Sequence, residues 1–151
     1  MGFLKLSVFV ILLAPAVCHA QAKKIPVTVN QFWEGHIGQA VAFALKEGIQ
    51  KTSSFILVDQ EFRNPHISVL LISMDPLPVA NTYLRDKESA IAITILYAAL
   101  GKPYSSGIHI YTTIYTCGKI VVEKCAKDVL PMIDQAVEKL RRDSPELWKT
   151  L

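Results

Sequence analysis

One segment, Ile67 to Met74, is apolar on both of its alternating sides. In an extended chain Leu71 shares one side with Ile67 and Val69, whereas Leu70 and Ile72 share the other with Met74. A strand that is buried on both sides normally lies in the interior of a sheet. The segment therefore predicts a protein built on a β-sheet in which this strand is central.

Four other segments have the length and pattern of strands. They are residues 24–30, 55–59, 90–97 and 108–117. The first contains Pro26, which favours an edge strand because proline offers no backbone donor to a neighbour. In the last, one alternating set is expected to face the core and the other to face away. The predicted core set is Ile108, Ile110, Thr112 and Ile114, and the outward set is His109, Tyr111, Thr113 and Tyr115.

Two segments carry apolar residues at helical spacing, residues 36–50 and the longer residues 120–142. Pro131 lies inside the second pattern and predicts a kink at residues 127–130, because proline removes a backbone hydrogen bond and clashes one turn earlier. The tail, residues 143–151, is expected to fray.

Connections of hairpin length between the strands favour an antiparallel meander of four strands, or five if residues 24–30 join it. The expected fold is thus α+β, a two-layer sandwich with an N-terminal and a longer C-terminal helix packed on one face. A single domain is expected over residues 21–151. The connection 75–88 holds two prolines and a charge cluster, and whether it is ordered stays open.

The order of elements resembles two known groups. A helix that leads into a meander resembles the cystatin arrangement, and the helix, the Phe-x-Leu-Val strand at residues 55–58 and the terminal helix resemble the amino-terminal domain of TolB. The cystatin Gln-x-Val-x-Gly signature is absent, so no family residue is carried over. The resemblance to cystatins implies a secreted peptidase inhibitor as one alternative function.

Residues 1–20 have the layout of a secretory signal peptide, with Lys5 before a short apolar run and small residues before cleavage after Ala20 or Ala22. This leader accounts for part of the 51% hydrophobic content and the mean hydropathy of +0.31. Removing it lowers the net charge from +3 to +2 and leaves no basic stretch suited to nucleic acid. No later segment reaches transmembrane length. We expect an exported protein, periplasmic or extracellular, and the short leader and missing glycosylation sequons favour a bacterial source.

Two cysteines remain after cleavage, Cys117 and Cys125. In an oxidising compartment, a pair this close in sequence predicts a disulfide that would tie a strand to a helix. Two buried free thiols, or a redox-active pair without the usual C-x-x-C spacing, are the alternatives.

No catalytic motif occurs in the chain. The histidines of the mature part, His36, His66 and His109, do not pair with a His, Asp or Glu at the spacing of a metal site, so neither a metal nor a cofactor is implied. The sequence therefore favours a protein that is not an enzyme. The alternative is a small hydrolase or other enzyme whose site is assembled from loop carboxylates, such as Asp59 and Glu61, and one of these three histidines.

The sheet side away from the helices is the candidate binding site. It is expected to present His109, Tyr111, Thr113 and Tyr115 together with Leu96. Tyrosines on a flat strand face suit protein contact because they are large, stiff and amphipathic. The predicted function is an exported binding or assembly module that contacts another envelope or secreted protein or forms a homodimer. The alternative is that another part of the chain covers this side, or that the tyrosines are ordinary strand formers.

Overall fold

A computed structural model describes residues 23–32, 35–74, 87–99 and 107–151 of the chain. The predicted leader, residues 1–20, and most of the connection 75–88 lie outside these ranges. The strands are β1 (Ile25–Phe32), β2 (Phe55–Leu57), β3 (His66–Met74), β4 (Glu88–Ala98) and β5 (Ile108–Gly118). The helices are α1 (His36–Lys51), α2 (Val122–Asp143) and α3 (Pro145–Trp148), and a 3-10 turn, Lys119–Val121, precedes α2.

The five strands form one mixed sheet in the order β2-β1-β3-β4-β5. β1 is parallel to both β2 and β3, whereas β3–β4 and β4–β5 are antiparallel. The fold is therefore α+β with a five-stranded mixed sheet and a long C-terminal helix, and the predicted purely antiparallel meander is wrong. The reason is the crossover through α1, which returns the chain beside β1 in the same direction.

β1 lies inside the sheet, so its predicted position at the edge is also wrong. Its pairing with β3 begins only at Val27, opposite Ile67, which leaves Pro26 before that ladder. The missing proline donor therefore costs no hydrogen bond to β3. β3 occupies the centre of the five strands, as its two-sided apolar pattern predicts.

One side of the sheet belongs to a single buried core together with residues of α1 and α2. On β3 this side carries Ile67, Val69 and Leu71. Their neighbours on β4 are buried, as are the neighbours of Ile67 and Val69 on β1. We call this side the core face and the other side the opposite face. The helices supply residues at helical spacing, namely Ile37, Val41, Leu45 and Ile49 from α1 and Val129, Ile133, Val137 and Leu140 from α2.

α2 is a 22-residue amphipathic helix that continues through Pro131. Its buried positions recur every three or four residues, and its charged residues take the remaining positions. Of the helices formed by the described residues, none combines the length and the apolar character that crossing a bilayer requires.

Residues 143–151 contact the rest of the domain, which differs from the expected fraying. Thr150 donates a hydrogen bond to the Leu147 carbonyl at 2.6 Å and lies 2.7 Å from the Tyr97 hydroxyl. The last residue, Leu151, is buried in the core. In addition, the Arg141 guanidinium lies 5.7 Å from the centre of the Trp148 ring. These contacts hold the C-terminal tail against the domain.

Candidate interaction site

Cys117 and Cys125 lie at disulfide-bonding distance, with their Cα atoms 6.1 Å apart. Cys117 is near the end of β5 and Cys125 is in the first turn of α2. Both are buried and belong to the core. The pair therefore joins a strand to a helix on the core face.

The buried position of Cys117 shows which side chains of β5 face the core. Residues two apart on a strand share a face, so Tyr111, Thr113 and Tyr115 point to the same side as Cys117. The register agrees, because these three residues lie opposite core residues of β4. The outward face predicted for the two tyrosines and Thr113 is therefore wrong.

The error has a physical cause, an extra residue in β5. Tyr111 pairs with Ile95, but the next pair along β4 joins Leu96 to His109, so Ile110 has no partner of its own. A bulge of this kind reverses the alternation on one side of it. Ile110 is buried as predicted, but Ile114 falls on the opposite face, as does Thr112, which shares its alternating set.

The hydroxyl of Tyr115 is buried and has no hydrogen-bond partner among the described residues. Burial, and secondarily the negative charge of Asp128, raises the pKa of Tyr115 to about 12. Tyr97 provides a contrast on the same face, because its hydroxyl lies 2.7 Å from Thr150 Oγ1. The two tyrosines therefore differ in what their hydroxyl groups contribute to the free energy of unfolding.

Tyr115→Phe is expected to leave the free energy of unfolding unchanged or to raise it, because it removes an unpaired buried polar group. Tyr97→Phe, the matched control, should lower it by about 1 kcal/mol through the lost hydrogen bond. Because burial raises the pKa of Tyr115 from 10.0 to about 12, the tyrosine ionises more readily in the unfolded chain, and this lowers the free energy of unfolding as the pH rises from 10 toward 12. Urea unfolding should therefore show a smaller loss of stability between these pH values for Tyr115→Phe than for the wild type. An equal loss would contradict the assignment.

Two residues of the predicted site, Leu96 and His109, do lie on the opposite face, where they pair across β4 and β5. His109 is exposed, and its Nε2 lies 2.7 Å from Thr112 Oγ1. Thr112 Oγ1 in turn lies 3.1 Å from Thr94 Oγ1. These contacts form a short polar chain across the two strands.

An apolar row crosses the opposite face next to this polar chain. Phe32 pairs with Ile72, Ile72 with Ala92, and Ala92 with Ile114, so the four side chains lie side by side across four strands. We call these four residues the apolar row. Its two ends are the most accessible, with Phe32 40% and Ile114 72% exposed. Met74, two residues further along β3 on the same face, is 53% exposed.

On β1 and β3 the opposite face also carries buried polar residues away from the apolar row. Thr28, Asn30 and Ser68 are buried, and the Asn30 amide donates to Ser68 Oγ at 3.2 Å and to Thr28 Oγ1 at 3.4 Å. Buried polar groups of this kind are costly unless they are hydrogen-bonded to one another. The accessible apolar surface of this face therefore lies at the end marked by Phe32 and Ile114.

β5 is an edge strand and ends the apolar row at Ile114. Over its 11 residues it has no Lys, Arg, Asp, Glu or Pro, the residues that commonly protect a sheet edge from pairing. The opposite edge, β2, has only 3 residues. Lys139 Nζ donates to the Ile110 carbonyl at 3.1 Å, at the bulge, and among the described strands none pairs with the outer side of β5.

The remaining histidines lie on separate elements. His36 begins α1, and His66 begins β3, where its Nδ1 lies 2.8 Å from the Asn64 carbonyl. The loop carboxylate Asp59 accepts a hydrogen bond from the Glu61 backbone amide at 3.1 Å. Within the described ranges, no three His, Cys, Asp or Glu side chains converge as a metal site would need.

No protein-family model and no curated protein matches the sequence. Among solved structures the chain matches a dodecamer of a PelC variant from Paraburkholderia phytofirmans, at 13% identity and a TM-score of 0.41. The match covers 74% of this chain and 89% of that chain. So distant a likeness leaves the function to be argued from the residues of the chain itself.

Proposed function

We propose that the protein is an exported assembly module that forms a homodimer through β5 and the end of the apolar row. The observation that carries this proposal is the edge of β5 beyond the bulge at Ile110, since residues 111–118 include no charged residue and no proline. Such an edge offers a row of unpaired backbone groups to another strand. The second copy of the chain is the partner that always presents a matching edge.

Symmetry favours an antiparallel pair of β5 strands around a two-fold axis. In that arrangement each copy offers the same surface to the other, as in most homodimers. A pair centred near Ile114 would place the two Ile114 side chains next to each other and continue the apolar row from one sheet into the next. Contact between the apolar rows of the two copies would remove Ile114, which is 72% exposed, from water.

The other sheet edge limits growth to two copies. β2 has 3 residues, too few to support further pairing by strand addition. In this arrangement both helices cover the core face, and the opposite face carries the contact. Export is supported by the predicted leader and by the Cys117–Cys125 pair at disulfide distance.

The test is Ile114→Lys, examined in the mature chain by size-exclusion chromatography with light scattering over a wide range of concentration. Ile114 is exposed, so the change should leave the fold intact while it places two like charges beside each other in the dimer. We expect the dissociation constant of the dimer to rise by at least about tenfold.

Ile120→Lys is the matched control, because it makes the same change at an isoleucine that is 97% exposed in the 3-10 turn outside the sheet. It should leave the dimer unchanged. A wild-type protein that stays monomeric at every concentration would overturn the proposal. A dimer that Ile114→Lys does not weaken would show that another surface is used.

A further inference from the structure

A second surface, separate from β5, is a groove between α1 and the start of α2. Its volume is about 1640 Å³. One wall is formed by α1, and the other by the 3-10 turn and the first turns of α2. Small residues line it, including Ala40, Ala44, Gly48 and Ala126. Small side chains allow another backbone to approach closely, which favours a helix as the occupant.

Large apolar side chains are exposed along this groove. Phe43 of α1 is 65% exposed, and Ile120 of the 3-10 turn is 97% exposed. Val121, next to Ile120, is also exposed, and all three residues line the groove. A single exposed apolar residue needs no explanation, but several around one groove indicate a binding site for an apolar group.

The charges that line the groove favour an acidic partner. Lys51, Lys119, Lys124 and Lys127 line it, against Glu47 and Glu123. Lys51 lies 3.9 Å from Glu47, whereas the other three lysines have no ion pair with a described residue. The groove therefore combines an apolar lining with an excess of positive charge, which acidic side chains would complement.

We propose that this groove binds an amphipathic helix of another protein, with its apolar stripe between Phe43 and Ile120 and its acidic residues facing Lys124 and Lys127. The 16 residues of α1 span about 24 Å, which accommodates roughly four turns of a bound helix. Binding by an apolar stripe at i, i+3, i+4 and i+7 is a common mode of peptide recognition. The concave shape favours a helix over a flat lipid surface, which would need the apolar side chains to project from a convex surface.

The probe is a synthetic amphipathic peptide with the length of α1, a leucine stripe and flanking glutamates, labelled for fluorescence anisotropy. Its counterpart carries lysine in place of each glutamate. The protein variant is Lys124→Glu/Lys127→Glu, and the matched control is Lys23→Glu/Lys24→Glu, which makes the same change in net charge at exposed residues outside the groove. Thermal melting verifies that each variant is folded.

We expect the wild type to bind the glutamate peptide at least about tenfold more tightly than the lysine peptide, with an affinity that falls as salt is added. Lys124→Glu/Lys127→Glu should reverse this preference, the control should keep it, and Phe43→Ser should weaken binding of both peptides. Equal affinity for the two peptides, or no binding of either, would overturn the proposal.

Vesicles of phosphatidylglycerol and of phosphatidylcholine form the second arm of the experiment. Sedimentation of the protein with phosphatidylglycerol vesicles, lost in Lys124→Glu/Lys127→Glu, together with no peptide binding, would assign the groove to an anionic membrane and overturn the proposal. Ile114→Lys should leave peptide binding unchanged. Failure of the groove proposal can therefore be distinguished from failure of the β5 dimer.

Discussion

Replacing both Cys117 and Cys125 with alanine is expected to lower the free energy of unfolding by about 2.5 kcal/mol, the loop-entropy value for two cysteines 8 residues apart. Both side chains are buried, so the change also removes packing between β5 and α2. For a domain of this size the loss is a large part of the total stability.

Urea unfolding of the wild type with and without reductant measures this effect. The reduced wild type should lose most of the stability that the Cys117→Ala/Cys125→Ala variant loses, and that variant should not respond to reductant. Equal stability of the oxidised and reduced wild type would show that the disulfide does not form. It would also remove one of the two arguments for export, the other being the predicted leader.

Gly38→Ala is expected to destabilise the protein by about 1 to 3 kcal/mol, although alanine is the better helix former. The cause is the contact between α1 and β3, because a Cβ at Gly38 would overlap the side chain of Ser73. Ser73 is buried, so it has little room to move away.

A double-mutant cycle isolates that contact. In a Ser73→Gly background the overlap is gone, so Gly38→Ala should become stabilising through its helix propensity. Gly48→Ala in the same helix is the control, because a Cβ there would lie 3.3 Å from the flexible end of the Leu130 side chain, and its effect should be small. A Gly38→Ala effect that is the same in both backgrounds would contradict the packing of α1 against β3.

Local patterns predicted most of the elements. Helical spacing at residues 36–50 and 120–142 corresponds to α1 and α2, and the two-sided apolar pattern of β3 gives its central position. These patterns did not predict that the sheet is mixed, with β1 parallel to both of its neighbours. The position of β1 depends on the crossover through α1, and no local alternation indicates which strand a returning chain will join.

The candidate site was predicted from a regular alternation of side chains along β5. The single bulge at Ile110 breaks this alternation, so Tyr111, Thr113 and Tyr115 were assigned to the wrong face. The signal that would have corrected the error was present in the sequence, because a disulfide to α2 requires Cys117 to face the helix. Tyr115, Thr113 and Tyr111 then follow at intervals of two. The groove beside Phe43 and Ile120 gave no comparable signal, since it depends on how α1 and the 3-10 turn meet in space.

Amide hydrogen exchange along β5 is the most direct measurement of the proposed assembly. Compared at low and high protein concentration, the amides of residues 111–118 should become more protected as the wild-type dimer forms, while Ile114→Lys should show no such change. The amides of β3, inside the sheet, serve as the internal reference. Exchange on β5 that is identical at all concentrations, in a protein that light scattering shows to be a dimer, would contradict pairing through this edge.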